Sequence, residues 1–299
     1  MTESTQPTRD WDRDTRAPNP LPPPKSCDCQ FHIYGDPKKY PPKKGAYYQP
    51  PDATFEHMRG VLKTLGFERG VIVYPMPYDT DHRLLIDTLS ALEPKDRANF
   101  RATCIVKDNV TDAEMARLDA LGVCGARFNV GRRYQEGTSR DAILRSIARV
   151  REIGWHMRLH VGGDDIVTDQ AFLKSIRDIT VCVDHMGHLH LDLGLQQPAC
   201  RFLIDMIKNE GWWLMLSNGN RDSKMESGWD DAVPFGRAYV EAAPDRLIWG
   251  SDWPHVNWRK RMMNDAETVE LLYRYVDNDP ALLTKILVSN PARLHGFAD

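Results

Sequence analysis

The chain has 299 residues, of which 41% are hydrophobic, and its formal net charge at pH 7 is −3. A charge this close to neutrality gives no general attraction to nucleic acid or to an anionic membrane. The longest apolar runs, such as residues 70–74, are far shorter than the roughly 20 residues that cross a bilayer. The start of the chain is polar and Pro-rich, unlike a secretory signal. We therefore expect a soluble, cytoplasmic globular protein without a nucleic-acid or membrane partner.

Residues 1–26 differ in composition from all that follows, with many charges, several Thr and the tract Pro20-Leu21-Pro22-Pro23-Pro24. Such a segment cannot bury enough apolar surface to offset the entropy lost on ordering. It is predicted to form a flexible, extended arm that lies on the body or on a neighbour and has no catalytic role. Residues 27–299 are predicted to form a single domain, and a homo-oligomer is compatible with the sequence.

Strand-like and helix-like segments alternate regularly after the arm. A helix is predicted over Asp141–Ile153, where apolar residues recur at helical spacing before Gly154. Eight alternations favour an α/β fold with a closed (β/α)8 barrel. The competing architecture is an open, doubly wound sheet, but the sequence has no G-x-G-x-x-G motif after the first predicted strand. The eight predicted strands cover residues 27–35, 70–75, 100–106, 123–130, 156–161, 181–186, 213–218 and 246–250.

The six cysteines are scattered through the predicted elements, a pattern that favours reduced thiols over a disulfide framework. Cys27 and Cys29 are expected to pack as small apolar residues. No Cys-x-x-Cys pair occurs, so the sequence does not predict a structural zinc site. Several histidines fall in helices, loops or strand starts and are expected to have no chemical role: His57, His82, His156, His190 and His295.

Polar side chains cluster at the predicted carboxyl ends of the strands, which is where barrel enzymes place their catalytic groups. The clearest case is Asp252, which follows the apolar run Arg246–Trp249 and Gly250 at the end of strand 8. Chance would not place imidazoles and a carboxylate at four separate strand ends. The polar residues at strand ends are Gln30, His32, Arg127, Asn129, Arg133, His160, His185, His188, Asn218, Arg221, Asp252 and His255.

These residue types suit the hydrolysis of a cyclic ester. That reaction needs a base for water, donors for the developing oxyanion and an acid for the leaving oxygen. Asp252 suits the first task if burial raises its pKa from about 4 toward neutrality. His32 and His185 suit the second as N–H donors. Arginines at the mouth would bind planar carboxylates in a bidentate manner.

The motifs together resemble a known family. They are Asp28–His32, Arg127-Phe128-Asn129, Asp184–Gly187, Trp249–His255 and Asn290–Leu294. The chain is similar in these to the amidohydrolase superfamily, and within it to the branch of 2-pyrone-4,6-dicarboxylate lactonase and related lactonases. The resemblance spans residues 26–297. It implies a small carboxylated lactone as substrate.

The resemblance also implies roles for single residues. Asp252 would be the general base for water, and His32 and His185 would polarise the lactone carbonyl. The substrate carboxylates would be held by Arg127, Arg133 and Arg221, with Tyr48 closing over them from the first loop. The remaining residues expected to contact substrate are Gln30, His160, His188 and, as an aromatic wall, Trp253.

Three departures from the family pattern bear on the chemistry. Zinc amidohydrolases begin with a His-x-His pair, whereas this chain has Gln30, whose neutral amide is a poor zinc ligand. We therefore expect no metal cofactor. The alternative is one zinc ion held by His32, His160, His185 and Asp252. His188 and His160 also stand where the similar lactonase has Arg and Tyr, which weakens one carboxylate contact.

Hydrolysis of a carboxylated lactone is thus the leading interpretation of the sequence. The alternatives are a metal-free lactone isomerase, a zinc-dependent decarboxylase or hydrolase of the same superfamily, and a catalytically silent small-molecule binder. The chain retains Asp252 and two histidines at strand ends, which argues against a catalytically silent binder.

Overall fold

A computed structural model describes residues 10–131 and 139–298. Eight parallel strands lie side by side in sequence order, each hydrogen-bonded to the next. The predicted α/β architecture, a (β/α)8 barrel, is confirmed. The strands are β1 (Cys27–Phe31), β2 (Arg69–Val73), β3 (Phe100–Cys104), β4 (Val123–Asn129), β5 (His156–His160), β6 (Val181–Val183), β7 (Trp213–Leu216) and β8 (Leu247–Trp249).

Helices connect successive strands. The helix predicted over residues 141–153 is confirmed as Arg140–Glu152, and Ser139 caps it by accepting a hydrogen bond from the backbone N–H of Ala142. The α-helices are α1 (Phe55–Leu65), α2 (Arg83–Ser90), α3 (Pro94–Arg97), α4 (Asp112–Ala120), α5 (Arg140–Glu152), α6 (Gly163–Thr168), α7 (Gln170–Ser175), α8 (Pro198–Asn209), α9 (Gly219–Asp222), α10 (Val233–Ala242), α11 (Asp265–Tyr275), α12 (Pro280–Thr284) and α13 (Asn290–His295).

The chain segments at the carboxyl ends of β1 and β8 are hydrogen-bonded to each other. The backbone N–H of Asp252 donates to the carbonyl of Gln30 (2.9 Å), and that of His32 donates to the carbonyl of Trp253 (2.8 Å). Gly250 permits this approach, because a Cβ atom there would lie 2.7 Å from the backbone nitrogen of Gln30. The contact brings residues from opposite ends of the chain to one mouth.

Apolar side chains fill two regions. The larger cluster lies between the sheet and the helices, and a smaller one groups Cys27, Cys29, Cys182 and Met215 with Phe297. All six cysteines are free thiols, and only Cys124 is not fully buried. Within the described ranges, no helix is long and apolar enough to cross a membrane.

The described part of the N-terminal arm, residues 10–26, lies against the barrel. Trp11 is buried, its ring centroid is 5.0 Å from that of Trp253, and its Nε1–H donates to the carbonyl of Asp52 (3.1 Å). Arg16 forms two hydrogen bonds with the carboxylate of Glu270 (2.6 and 2.7 Å). The arm therefore contacts both the segment after β8 and the loop after β1.

Candidate active site

Asp252 lies at the centre of the mouth and is 6% exposed. Its Oδ1 lies 3.3 Å from His32 Nε2 and 3.7 Å from His185 Nε2, and it accepts a hydrogen bond from Gln30 Nε2 (3.2 Å). Its Oδ2 accepts from Asn218 Nδ2 (2.9 Å) and lies 3.5 Å from Arg221 Nη2. The structure thus brings together four residues predicted for the site around one carboxylate.

Backbone strain is concentrated at these strand ends. His185, Asn218 and Asp252 have φ values of 55°, 61° and 62°, in the left-handed region that side chains with a Cβ rarely adopt. Each such residue costs on the order of 1–3 kcal/mol, and the surrounding structure must compensate. These three residues follow β6, β7 and β8. Their backbone conformation directs three polar side chains into the mouth.

The orientation of the Gln30 amide is fixed by Arg158, a fully buried residue in the middle of β5. A guanidinium can only donate hydrogen bonds, so Gln30 Oε1 must be the atom that accepts from Arg158 Nη2. The amide nitrogen then faces the mouth and donates toward Asp252 Oδ1 and toward His185 Nε2, which is 2.9 Å away. Gln30 therefore acts as a hydrogen-bond donor to the site.

This orientation determines the tautomer of His185. Its Nε2 accepts from Gln30, so its Nδ1 carries the proton and donates to Ser217 Oγ (2.8 Å). Burial also lowers the pKa of His185 well below the usual value, against the opposing charge of Asp252. A neutral His185 with its Nε2 lone pair occupied is an orienting group, which differs from the carbonyl-polarising donor that the resemblance implied.

His32 has the opposite character. Its Nδ1 lies 2.6 Å from the carbonyl oxygen of Val73, which can only accept, so Nδ1 is a donor. Its Nε2 faces the Asp252 carboxylate. Both ring nitrogens thus face acceptor atoms. His32 therefore suits the expected role of a donor near the reacting carbonyl.

The expectation that burial raises the pKa of Asp252 toward neutrality is wrong. Burial does act upward, but His185, the hydrogen bond from His32 and the charge of Arg221 together outweigh it and hold the pKa well below its usual range. A neutral His185 lowers the pKa of Asp252 less than a charged imidazolium would. The amide donors of Gln30 and Asn218 nevertheless stabilise the ionised Asp252 carboxylate. Asp252 is therefore a carboxylate at neutral pH.

A second buried carboxylate, Asp184, organises the arginines. It is bound by Arg158 (Nε to Oδ1, 2.7 Å) and by Arg127 (Nε to Oδ2, 2.9 Å). Arg127 also donates from Nη2 to His160 Nδ1 (2.9 Å), which leaves the proton of a neutral His160 on Nε2. Burial, reinforced by the charge of Arg127, lowers the pKa of His160 well below its usual range. These contacts hold the Arg127 guanidinium in a fixed position inside the mouth.

The rim of the mouth carries the remaining predicted residues. The ring of His188 lies 5.3 Å from that of His160 and 5.0 Å from that of His185, and its Nδ1 is 3.0 Å from Asp222 Oδ1. The Arg221 guanidinium lies over the ring of Trp258, 5.1 Å from its centroid. Tyr48 Oη is 2.6 Å from Tyr34 Oη. The rim is therefore basic and aromatic.

Two predicted residues fall outside this arrangement. Arg133 lies outside the described residues. Trp253 is 0% exposed and packs against the arm residue Trp11, so the structure places it inside the protein and not on the surface of the mouth.

The sequence analysis missed Arg158 and Asp184. A usable signal existed for Arg158, since it precedes His160 by two residues and therefore shares its face of β5. Asp184 precedes His185 directly after β6, inside the motif Asp184–Gly187. Charged residues inside a strand are rarely buried without a partner, so the pair could have been sought together.

The mouth does not fit the zinc set of His32, His160, His185 and Asp252. Gln30 turns its amide nitrogen, which is no ligand, toward Asp252, and His160 Nδ1 and His185 Nε2 both accept hydrogen bonds. Ligand atoms of a different set, His160, His185 and His188, do lie within 4.8 Å of one another.

The fold and the strand-end residues define a class of protein. A model of the Amidohydrolase family matches residues 27–297, and the chain belongs to this family. Among curated proteins it is 33% identical to the 4-sulfomuconolactone hydrolase of Hydrogenophaga intermedia, over 92% of this chain and 89% of that one.

The chain is also 30% identical to the 2-pyrone-4,6-dicarboxylate hydrolase of Comamonas testosteroni, over 98% of this chain and 97% of that one. Among solved structures, an Agrobacterium tumefaciens protein in its apo form has the same fold, with a TM-score of 0.81 at 24% identity, covering 94% of this chain and 99% of that one.

Proposed function

We propose that the protein hydrolyses a lactone that carries an anionic substituent. The observation that supports this most is the ionised Asp252 carboxylate, held beside His32 and within a ring of basic side chains. Two relatives that cover almost the whole chain are named as hydrolases of 4-sulfomuconolactone and 2-pyrone-4,6-dicarboxylate. Both names describe a lactone ring with an acidic group, which matches a basic mouth.

In the proposed reaction, Asp252 accepts a proton from water while the water oxygen attacks the lactone carbonyl carbon. His32 donates toward the carbonyl oxygen as negative charge develops there. The ring C–O bond then breaks, and the leaving oxygen takes the proton held by Asp252. Arg127 and Arg221 orient the anionic substituent. Each turnover consumes one water and forms one new carboxylate.

We further propose that this reaction needs no metal ion. The support is the donor set described above, in which Gln30 turns an amide nitrogen toward Asp252 and toward His185 Nε2, and His160 Nδ1 already accepts from Arg127. The electrophile is then His32, with its proton on Nε2.

The test is a pH-stat assay with 4-sulfomuconolactone and with 2-pyrone-4,6-dicarboxylate. Hydrolysis releases one proton per turnover at neutral pH, whereas isomerisation of one lactone into another releases none. Turnover in ¹⁸O-water should place one labelled oxygen in the product carboxylate. Turnover without proton release or label would replace hydrolysis by isomerisation, and lack of turnover with both compounds would contradict the proposed substrate class.

A further inference from the structure

A second group of potential ligands lies at the opposite end of the barrel from Asp252. We call it the floor cluster: Cys124 in β4, His156 at the start of β5 and His295 at the end of α13. One ligand atom from each of the three lies within 4.8 Å of the other two. The cluster therefore joins two strands to the C-terminal helix.

The separation of two of these atoms fits a metal ion. Cys124 Sγ lies 3.6 Å from His295 Nδ1. Tetrahedral zinc has Zn–S bonds of about 2.3 Å and Zn–N bonds of about 2.0–2.1 Å, which place a sulfur and a nitrogen ligand about 3.5 Å apart. A common ion could thus bind both atoms with little movement of either residue.

The two histidines also have unused polar atoms. His156 and His295 are 4% and 2% exposed, and the Nε2 atom of each is buried without a hydrogen-bond partner in the described part of the chain. Leaving such an atom unpaired costs on the order of 1–3 kcal/mol. An ion that binds His295 through Nδ1, the atom near Cys124, would give a partner to His156 Nε2 and leave His295 Nε2 as the N–H of that ring. The ring of His156 lies against Gly125, where an added Cβ would be 2.6–2.9 Å from its atoms, so it has little room to turn away.

The charge states suit metal binding. Burial lowers the pKa of His156 to about 3 and that of His295 well below its usual range, so both imidazoles are neutral and keep a lone pair. Burial raises the pKa of Cys124 to about 12, while Arg101 and Arg158 act in the opposite direction. A bound cation would displace the thiol proton to solvent, and the two arginines would stabilise the resulting thiolate.

We propose that the floor cluster is a binding site for a thiophilic cation, with zinc as its best match, coordinated by Cys124, His156 and His295. Three protein ligands leave a fourth position for solvent, since Cys124 is partly exposed. The site would tie α13 to β4 and β5. Such a tie acts on stability, because this end of a barrel does not carry the catalytic loops.

The experiment is a titration of the full-length protein with Co²⁺, whose bond to a thiolate gives a charge-transfer absorption that histidine alone does not give. We expect the band to saturate near one equivalent, to disappear in Cys124→Ser and to be competed by Zn²⁺. Cys200→Ser, which removes a thiol from α8, is the matched control and should keep the band. His188→Gln should keep it too, because the histidines of the mouth have no thiol neighbour in their group.

Stability provides a second readout. Zinc in excess should raise the thermal midpoint of the wild type by about 5 °C and leave that of Cys124→Ser unchanged. Lactone hydrolysis by Cys124→Ser should equal that of the wild type, so that failure of this site and failure of the proposed function remain distinguishable. Absence of the band, or its persistence in Cys124→Ser, overturns the proposal. If Cys124→Ser does not fold, His156→Gln decides on the same two readouts.

Discussion

The mouth and the floor of the barrel use the same residue type in opposite ways, and β5 shows both on one strand. His156 begins the strand and His160 ends it, and four residue-to-residue steps of a parallel strand place them about 13 Å apart. Burial lowers the pKa of both. At the mouth, however, His160 accepts from Arg127, and His185 is fixed by Gln30 and Ser217. At the floor, the Nε2 atoms of His156 and His295 have no hydrogen-bond partner among the described residues. Burial therefore sets the charge of a histidine, and its hydrogen-bond partners set its use.

The largest expected effect that would test this contrast is at Asp252. Asp252→Asn should lower turnover by about 10³-fold, because an amide cannot accept the proton of water, while KM stays within about tenfold. Steady-state kinetics on the anionic lactone measures both. His156→Gln at the floor is the control and should retain normal turnover. Near-normal activity of Asp252→Asn would remove Asp252 from the mechanism.

The next effect concerns Arg158, which lies between the two regions. Arg158→Met leaves Asp184 buried with only Arg127 as its cationic partner and frees the Gln30 amide to turn. The free energy of unfolding should fall by about 3 kcal/mol, as for other broken buried ion pairs, and turnover should fall as well. Urea denaturation measures the first quantity. The double variant with Asp184→Asn should recover part of the stability, and no change in Arg158→Met would show that this network is not needed.

A smaller effect is expected from the arginines of the mouth. Arg127→Met and Arg221→Met should each lower kcat/KM for an anionic lactone by roughly 10- to 100-fold, because a lost charge-assisted hydrogen bond costs about 1.5–3 kcal/mol. A neutral lactone of similar size is the control and should lose much less. Equal losses on both substrates would make these arginines structural.

The smallest expected effect concerns the pH dependence of kcat/KM and the contribution of Asp252 to it. The pKa of Asp252 in the folded protein lies below its usual value, so its ionised form persists as the pH falls until that lowered pKa is reached. The kcat/KM should therefore show no acidic limb due to Asp252 between about pH 7 and pH 5. A limb with a midpoint near pH 6 would show that a group with a higher pKa has to be ionised instead.

The sequence predicted the fold and the principal members of the site for a physical reason. Strand periodicity can be recognised in short stretches of sequence, and barrel enzymes place their catalytic groups at the carboxyl ends of the strands. Together these two facts suffice to place His32, His185 and Asp252 at one mouth. The sign of the pKa shift at Asp252 depends instead on how closely His185, His32 and Arg221 approach its carboxylate oxygens, which only folding decides. The burial of Trp253 depends in the same way on Trp11.

The arm has a consequence for the order of assembly. Some of its contacts are with residues made near the end of synthesis: Asn264 donates to Asp12, Arg16 pairs with Glu270, and Tyr273 donates to the carbonyl of Pro20. Because the N-terminal part of a chain is made first, these partners are missing until about nine-tenths of the protein exists. The contacts between the arm and residues 264–273 therefore form only late, whereas the hydrogen bond from Trp11 to the carbonyl of Asp52 joins two segments that are made early.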